Sequence, residues 1–338
     1  GASFIIAGPE HTQLVSDKPV VSITATRTGA GKSPLTQYLA RYLTDQGKKV
    51  AVIRHPMPYG NLERQAVQRF VTPADLDLHE CTIEEREEYA PYVDMGIPIY
   101  AGVDYQGILD ESSKEADIVM WDGGNNDFSF IKPDLDIVVV DSLRAGHEID
   151  YFPGEVNFRR ADVLVIGKAK SAEPGAVEGI RERAEEMNPD AVIVTADLEI
   201  DIDKPELIQG QKVLVIEDGP TVTHGGMAFG AGSVAARRYG ATAVAPRPYA
   251  VGTIADTYDA YPHMKFILPA MGYSEDQREA LAETINACAA AEGIACVVDA
   301  SPARLDRMLD LDVPMARVTY RFKQLDGTPL EERVSKLI

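Results

Sequence analysis

The apolar run Pro19-Val20-Val21-Ser22-Ile23-Thr24-Ala25 passes directly into Thr26-Arg27-Thr28-Gly29-Ala30-Gly31-Lys32-Ser33, and no other stretch of the chain limits its fold so tightly. A buried strand, a tight glycine turn and a helix are expected in that order. Such a loop aims successive backbone N–H groups at a polyphosphate, places the lysine charge on the β- and γ-phosphates and offers the serine hydroxyl to Mg²⁺. Thr26 stands where the pattern has glycine; that glycine only eases the chain out of the strand, and Gly29-Ala30-Gly31-Lys32-Ser33 retains the anion nest. Thr28, Gly29, Ala30, Gly31, Lys32 and Ser33 are therefore the nucleotide-binding candidates, with Ser33 also a metal ligand. The helix is expected from Pro34 to Asp45, with proline in its first turn and Gly47 ending it.

Further apolar runs recur at 49–54, 98–101, 117–121, 137–140, 163–166, 191–195 and 212–216, continuous and without polar alternation. Strands buried on both faces of a parallel sheet read this way. The fold class expected is α/β: a doubly wound, mostly parallel sheet of P-loop NTPase type over residues 1–216, with a smaller C-terminal α/β lobe over 217–338. In that lobe Gly225 to Ser233 reads as a second phosphate-sized glycine loop ending in Ser233 at a helix N-cap. A helix is expected from Glu275 to Glu292, with strands at 242–245, 265–268, 295–298 and 316–322.

Composition narrows the partners. The chain has 338 residues, with 33 Lys and Arg against 53 Asp and Glu, a net charge of −20 that repels nucleic acid and anionic membranes. No apolar run reaches the roughly 20 residues of a membrane span. Cys81, Cys288 and Cys296 show no metal-binding or redox spacing, and a reducing cytoplasmic setting is expected.

Asp122 closes the strand-like run 117–121 ahead of Gly123-Gly124. An acid at a strand tip beside a phosphate loop can hold Mg²⁺, so Asp122 is the second metal candidate and a catalytic one; Asp141 repeats the arrangement less distinctively. Gly167-Lys168-Ala169-Lys170 occupies the place of an Asn-Lys-x-Asp guanine reader; Lys168 can still support a purine, but Lys170 replaces the reading carboxylate, which favours ATP. Arg54-His55 and Arg144 to His147 follow strand ends that face a ligand crevice. Arg54, His55, Arg144 and His147 are thus expected to contact a polyanionic substrate, since a multiply charged ligand entering an acidic protein needs concentrated local cations, and with Lys32 and Asp122 they are the catalytic candidates.

Gly8 to Thr12, Thr26 to Ser33, Arg54 to Gly60, Ala101 to Tyr105, Trp121 to Asp127, Arg144 to Glu148, Tyr151 to Asn157, Glu217 to Thr221 and Leu268 to Tyr273 together resemble the cyclic 2,3-diphosphoglycerate synthetase family across nearly the whole chain. The resemblance implies a cytosolic ATP- and Mg²⁺-dependent ligase that closes 2,3-diphosphoglycerate into an intramolecular phosphoanhydride, with a phosphorylated acid as its small-molecule partner. A homodimer is compatible with it. Two other classes stay open: a P-loop switch or chaperone acting on a protein partner, and an ATP-dependent ligase or kinase acting on another acidic metabolite.

Overall fold

The computed structural model describes residues 2–57, 60–123, 127–271, 274–303 and 305–338, without the side chains of Ile83 and Arg307. Pro58, Tyr59, Gly124 to Asn126, Gly272 and Tyr273, all within motifs named above, lie outside the described residues. In chain order the elements are β1 (Val20–Ala25), α1 (Lys32–Asp45), β2 (Val50–Arg54), β3 (Gln68–Phe70), α2 (Pro73–Leu78), α3 (Ile83–Asp94), β4 (Ile99–Ala101), α4 (Tyr105–Glu115), β5 (Ile118–Asp122), β6 (Leu135–Asp141), α5 (His147–Asp150), α6 (Gly154–Arg160), β7 (Val163–Gly167), α7 (Ala176–Met187) and β8 (Val192–Ile202). They continue with β9 (Lys212–Glu217), α8 (Gly219–Val222), α9 (Ala231–Arg238), β10 (Thr242–Ala243), α10 (Gly252–Ala260), β11 (Leu268–Pro269), α11 (Glu275–Glu292), β12 (Cys296–Asp299), β13 (Met315–Asp326) and α12 (Leu330–Ser335).

The chain forms two compact units. The first comprises residues 1–75, 92–198 and 322–338, and the second residues 76–91 and 199–321. The division falls at 198/199 where the sequence placed it at 216/217, and two segments cross it. Residues 76–91 join the second unit, while the last 17 residues return to the first.

In the first unit the strands run in the order β8-β7-β6-β1-β5-β2-β4-β3, with β3 antiparallel to β4 and the other pairs of this run parallel. β1, β2, β5, β6 and β7 are buried at every position. These Val- and Ile-rich runs suit a sheet covered on both faces. α1 lays Leu35, Leu39 and Leu43, one turn apart, against the core at 0% exposure. Each such leucine contributes about 1.5–3 kcal/mol of burial. β1 lies between β5 and β6, at the point where the strand order reverses, so the loop after β1 opens where such sheets hold their ligands.

The second unit has its own parallel arrangement, β10-β9-β12-β13, with β11 also on β9. Its core gathers Val213 to Ile216, Leu281, Ile285, Cys288 and Val297. α11 spans the expected residues: Ser274 Oγ accepts from Gln277 N–H at 3.3 Å, and Gly293 ends the helix at φ +64°.

Candidate nucleotide-binding and catalytic site

Gly29 and Gly31 adopt φ values of +74° and +108°, in the left-handed region that favours glycine. Gly31 is the N-cap of α1, so the helix starts at Lys32, two residues before the expected Pro34. Lys32 and Ser33 are therefore first-turn residues whose N–H groups have no intrahelical acceptor, the arrangement that receives an anion. Thr26 N–H donates to Val139 O at 3.0 Å, anchoring the loop on β6. Gly154, the first residue of α6, presses on it as well: a Cβ there would stand 2.4 Å from Thr26 O.

Asp122 ends β5 beside the loop with no solvent exposure. Its Oδ2 lies 2.9 Å from Arg54 Nη1 and accepts from Tyr92 Oη at 2.8 Å. Its Oδ1 accepts from Thr36 Oγ1 at 3.4 Å and Ser33 Oγ at 3.5 Å. Burial, and then the charge of Asp122, push the Tyr92 phenol well above its ordinary range and keep it a donor. A hydroxyl and a carboxylate side by side are hard oxygen donors, the type Mg²⁺ prefers, and Ser33 and Asp122 would hold that ion beside a bound polyphosphate.

Next to this group His55 Nδ1 lies 3.3 Å from Asp127 Oδ2 and 3.1 Å from Tyr105 Oη. Burial raises the Asp127 carboxyl, while His55, Lys32 and Arg54 pull it down, in that order. His55 itself is partly exposed, at 39% of its side chain. With Nδ1 engaged by Tyr105 Oη beside the Asp127 carboxylate, Nε2 is the ring nitrogen left for proton transfer.

A second buried acid, Asp141, supports the loop from β6. Arg144 reaches its Oδ2 through Nε at 2.8 Å and Nη2 at 2.7 Å, and Lys168 Nζ at 3.0 Å. Both cations then donate to loop carbonyls, Arg144 Nη2 to Thr28 O at 2.5 Å and Lys168 Nζ to Gly29 O at 2.6 Å. Lys168 sits at φ +57°, and its burial lowers the amine's pKa against the pull of Asp141. His147 is also lowered, first by burial and then by Arg27 and Arg144; Arg27 stacks 3.9 Å above the Tyr151 ring.

The four cations expected to greet a polyanion thus fall into two groups, Arg54 with His55 and Arg144 with His147. Arg54 belongs to Asp122, with side-chain exposure of 2%, and Arg144 to Asp141, at 10%. Each spends its charge on a buried carboxylate, because an uncompensated acid at those strand tips would be far more costly. His55 groups with Asp127, Lys32 and Arg54, and His147 with Arg27 and Arg144. Lys168 likewise braces the loop through its amine. A small pocket beside it is lined by Ala30, Gly31, Gly167, Lys168, Asp197 and Phe322. Asp197 and Phe322 escaped the sequence reading, since they come from β8 and the returning β13 and follow no local pattern. Thr36 and Tyr92 escaped it too, and Asp127 was named only as part of a motif: they act through contacts 30 to 86 residues away in sequence or through burial.

The second glycine loop receives an anion of the chain's own. Glu217 Oε1 accepts from Gly230 N–H at 2.9 Å, Ser233 N–H at 2.7 Å and Ser233 Oγ at 2.7 Å, and its Oε2 from Gly232 N–H at 3.1 Å. The N-cap is Gly230, with Ser233 one turn in. Cβ atoms at Gly230 and Gly232 would approach Glu217 to 2.5 and 3.3 Å. The glycines make room for that carboxylate.

A parallel sheet with a Gly-x-Gly-Lys-Ser turn after its central strand, and an acid on the adjacent strand tip, defines a P-loop NTPase fold. LpxK from Aquifex aeolicus, solved with ATP, shares that fold at a TM-score of 0.54 and 13% identity, over 96% of this chain and 89% of that one. No family model matches the sequence. Arginine synthetase ArcE of Thermococcus kodakarensis is 53% identical over 333 residues, which is 98% of this chain and 73% of that protein. The chain belongs to the arginine synthetase ArcE family. A tetraacyldisaccharide 4'-kinase of Syntrophobacter fumaroxidans is 29% identical over 178 residues, 50% of this chain and 45% of that one. The name cyclic 2,3-diphosphoglycerate synthetase is not the one carried by the 53% identical relative. Fold and family together support an ATP-dependent activity of ligase or kinase type on a small molecule. Among the described residues no helix is long and apolar enough to cross a membrane.

Proposed function

We propose that this chain is an ATP- and Mg²⁺-dependent synthetase that activates a small substrate by γ-phosphoryl transfer, with arginine as its product. The observation that carries the reading is the Ser33–Asp122 pair, 3.5 Å apart at the mouth of the loop that begins α1 with Lys32, in a chain 53% identical to an arginine synthetase. Making a guanidinium with ATP requires that a carbon-bound oxygen be converted into a leaving group. A ureido amino acid and ammonia are the simplest pair. The ureido oxygen takes the γ-phosphoryl group and ADP leaves; the ammonia nitrogen then bonds to the carbon, the C–O bond breaks, and phosphate departs.

Lys32 and the first-turn N–H groups of α1 would bind the β- and γ-phosphates. Mg²⁺, held by Ser33 and Asp122, would neutralise charge on the transferring group. Arg54 and Tyr92 fix the Asp122 carboxylate, while Arg144 and Lys168 fix the loop through Thr28 and Gly29. His55, hydrogen-bonded at Nδ1 to Tyr105 Oη and beside Asp127, would accept a proton from the incoming nitrogen at Nε2.

Closure of 2,3-diphosphoglycerate into a phosphoanhydride is the alternative from the motif resemblance, and it shares the first step. It draws less support here, because Arg54 and Arg144 are already committed to carboxylates. The test is ADP release from Mg·ATP against a panel: a ureido amino acid with ammonia, 2,3-diphosphoglycerate, and no acceptor. Stimulation by the first alone supports the proposal. Stimulation by 2,3-diphosphoglycerate alone favours the phosphoanhydride, and acceptor-independent hydrolysis raised by a protein favours a switch.

A further inference from the structure

In the second unit β9 and β12 run in parallel register, with Asp299 opposite Ile216, so Glu217, Asp218, Asp299 and Ser301 gather at the carboxyl ends of these strands. Parallel sheets hold ligands at that edge. Glu87 of α3 joins them through Ser301. Ser301 Oγ donates to Glu87 Oε1 at 2.6 Å, and Ser301 N–H donates to Asp299 Oδ1 at 2.9 Å.

These buried acids are not equally satisfied. Glu217 receives four donors from the start of α9. Glu87 and Asp299, at 4% and 0% exposure, each retain one oxygen, Oε2 and Oδ2, with no hydrogen-bond partner. A buried acceptor without a donor is unfavourable, and these two belong to side chains that share Ser301. Asp218, half-buried, marks where the group meets solvent. Its charge acts on the Glu87 carboxyl. Burial, then Asp218 and more weakly Glu84, push Glu87 well up. Burial also lifts Asp299 to about 7, against Ser301 N–H and Arg317, with Asp306 and Glu217 adding to the rise. Tyr320 of β13 faces Asp218, Glu87 and Glu217 as a neutral phenol, raised by burial and by those acids. Protons thus stand where a positive charge would be accepted. Among the described residues no three His, Cys, Asp or Glu side chains are arranged to hold a metal ion; an organic cation carrying N–H donors would satisfy both free oxygens.

We propose that the second unit binds a guanidinium group at the carboxyl ends of β9 and β12, with Glu87 Oε2 and Asp299 Oδ2 as its acceptors and Asp218 at the entrance. Guanidinium is the planar cation whose paired N–H groups suit two carboxylates. Choosing it over an alkylammonium rests on the arginine reading above; the acceptor pair does not.

The test is calorimetric titration of the full chain with L-arginine, with methylguanidine, and with L-citrulline as a neutral isostere, each in two buffers of different ionisation enthalpy. Both cations should bind and citrulline should bind at least tenfold more weakly. Binding near pH 7 should release about one proton, and affinity should rise from pH 6 to 8, because the carboxyls must ionise to take the cation. Glu87→Gln and Asp299→Asn should each weaken both cations tenfold or more. Should either variant fail to melt cooperatively, Ser301→Ala, which loosens the Glu87 carboxyl, should weaken them at least threefold. Wild-type affinity in the folded variants, or no cation binding at all, overturns the site. Methylguanidine binding that depends on Glu87 and Asp299, with none by arginine, keeps the site and excludes arginine as its ligand.

Discussion

Arg54 Nη1 lies 2.9 Å from Asp122 Oδ2, on residues paired directly across β2 and β5, with neither side chain reaching solvent. A strand-end arginine that looks available for substrate in the sequence is thereby the counter-ion of the strand-end acid next to Ser33. Its removal should act first on stability. Arg54→Ala leaves Asp122 buried without its charge partner, which typically costs about 3–5 kcal/mol. Thermal melts should show a fall of several degrees, and ATP affinity should drop because Asp122 shifts. Unchanged melting with a raised KM for the second substrate would instead return Arg54 to the substrate.

Gly154→Ala should damage the nucleotide site from outside it. The added methyl would sit 2.4 Å from Thr26 O, so either α6 or the loop must move. Overpacking of this kind costs about 1–3 kcal/mol. Calorimetry should show weakened ATP binding with the loop residues themselves intact; equal ATP affinity and equal stability would contradict the packing described.

The pH dependence of stability should carry the mark of Asp136, buried beside Ser22 Oγ at 2.8 Å, with burial lifting its carboxyl to about 6. An unfolded Asp titrates near 3.9. Between those values the folded chain holds a proton that the unfolded chain has lost, so stability falls as pH rises through that window and is level above it. The loss is on the order of 3 kcal/mol. Asp136→Asn keeps an acceptor for Ser22 and removes this titration. Its melting temperature should gain on wild type between pH 4.5 and 7.5, and a constant difference across that range would refute the assignment.

How much of this was legible in the sequence depended on whether the governing contact was local. β1 and α11 span the residues expected, because an unbroken apolar run and a Ser274–Gly293 pair of caps act within their own segments. β3 was missed, since Gln68-Arg69-Phe70 is a short antiparallel edge with no apolar run. Glycine spacing found the loop at 225–233 but could not say which anion fills it, because Glu217 reaches it from 13 to 16 residues away. Strand-end positions for Arg54, Asp122, Arg144 and Asp141 were readable; which acid each arginine would join was not, as that depends on strand order.

Lys32 and the Ser33–Asp122 pair stand at the centre of the functional reading, and one stoichiometry tests it most directly. Wild-type chain, Mg·ATP, a ureido amino acid and ammonia are incubated together, and ADP and arginine are measured in the same samples. The proposal predicts the two in equal amounts, and neither above background with Lys32→Ala. ADP formed without arginine, or Lys32→Ala turning over at the wild-type rate, would contradict it.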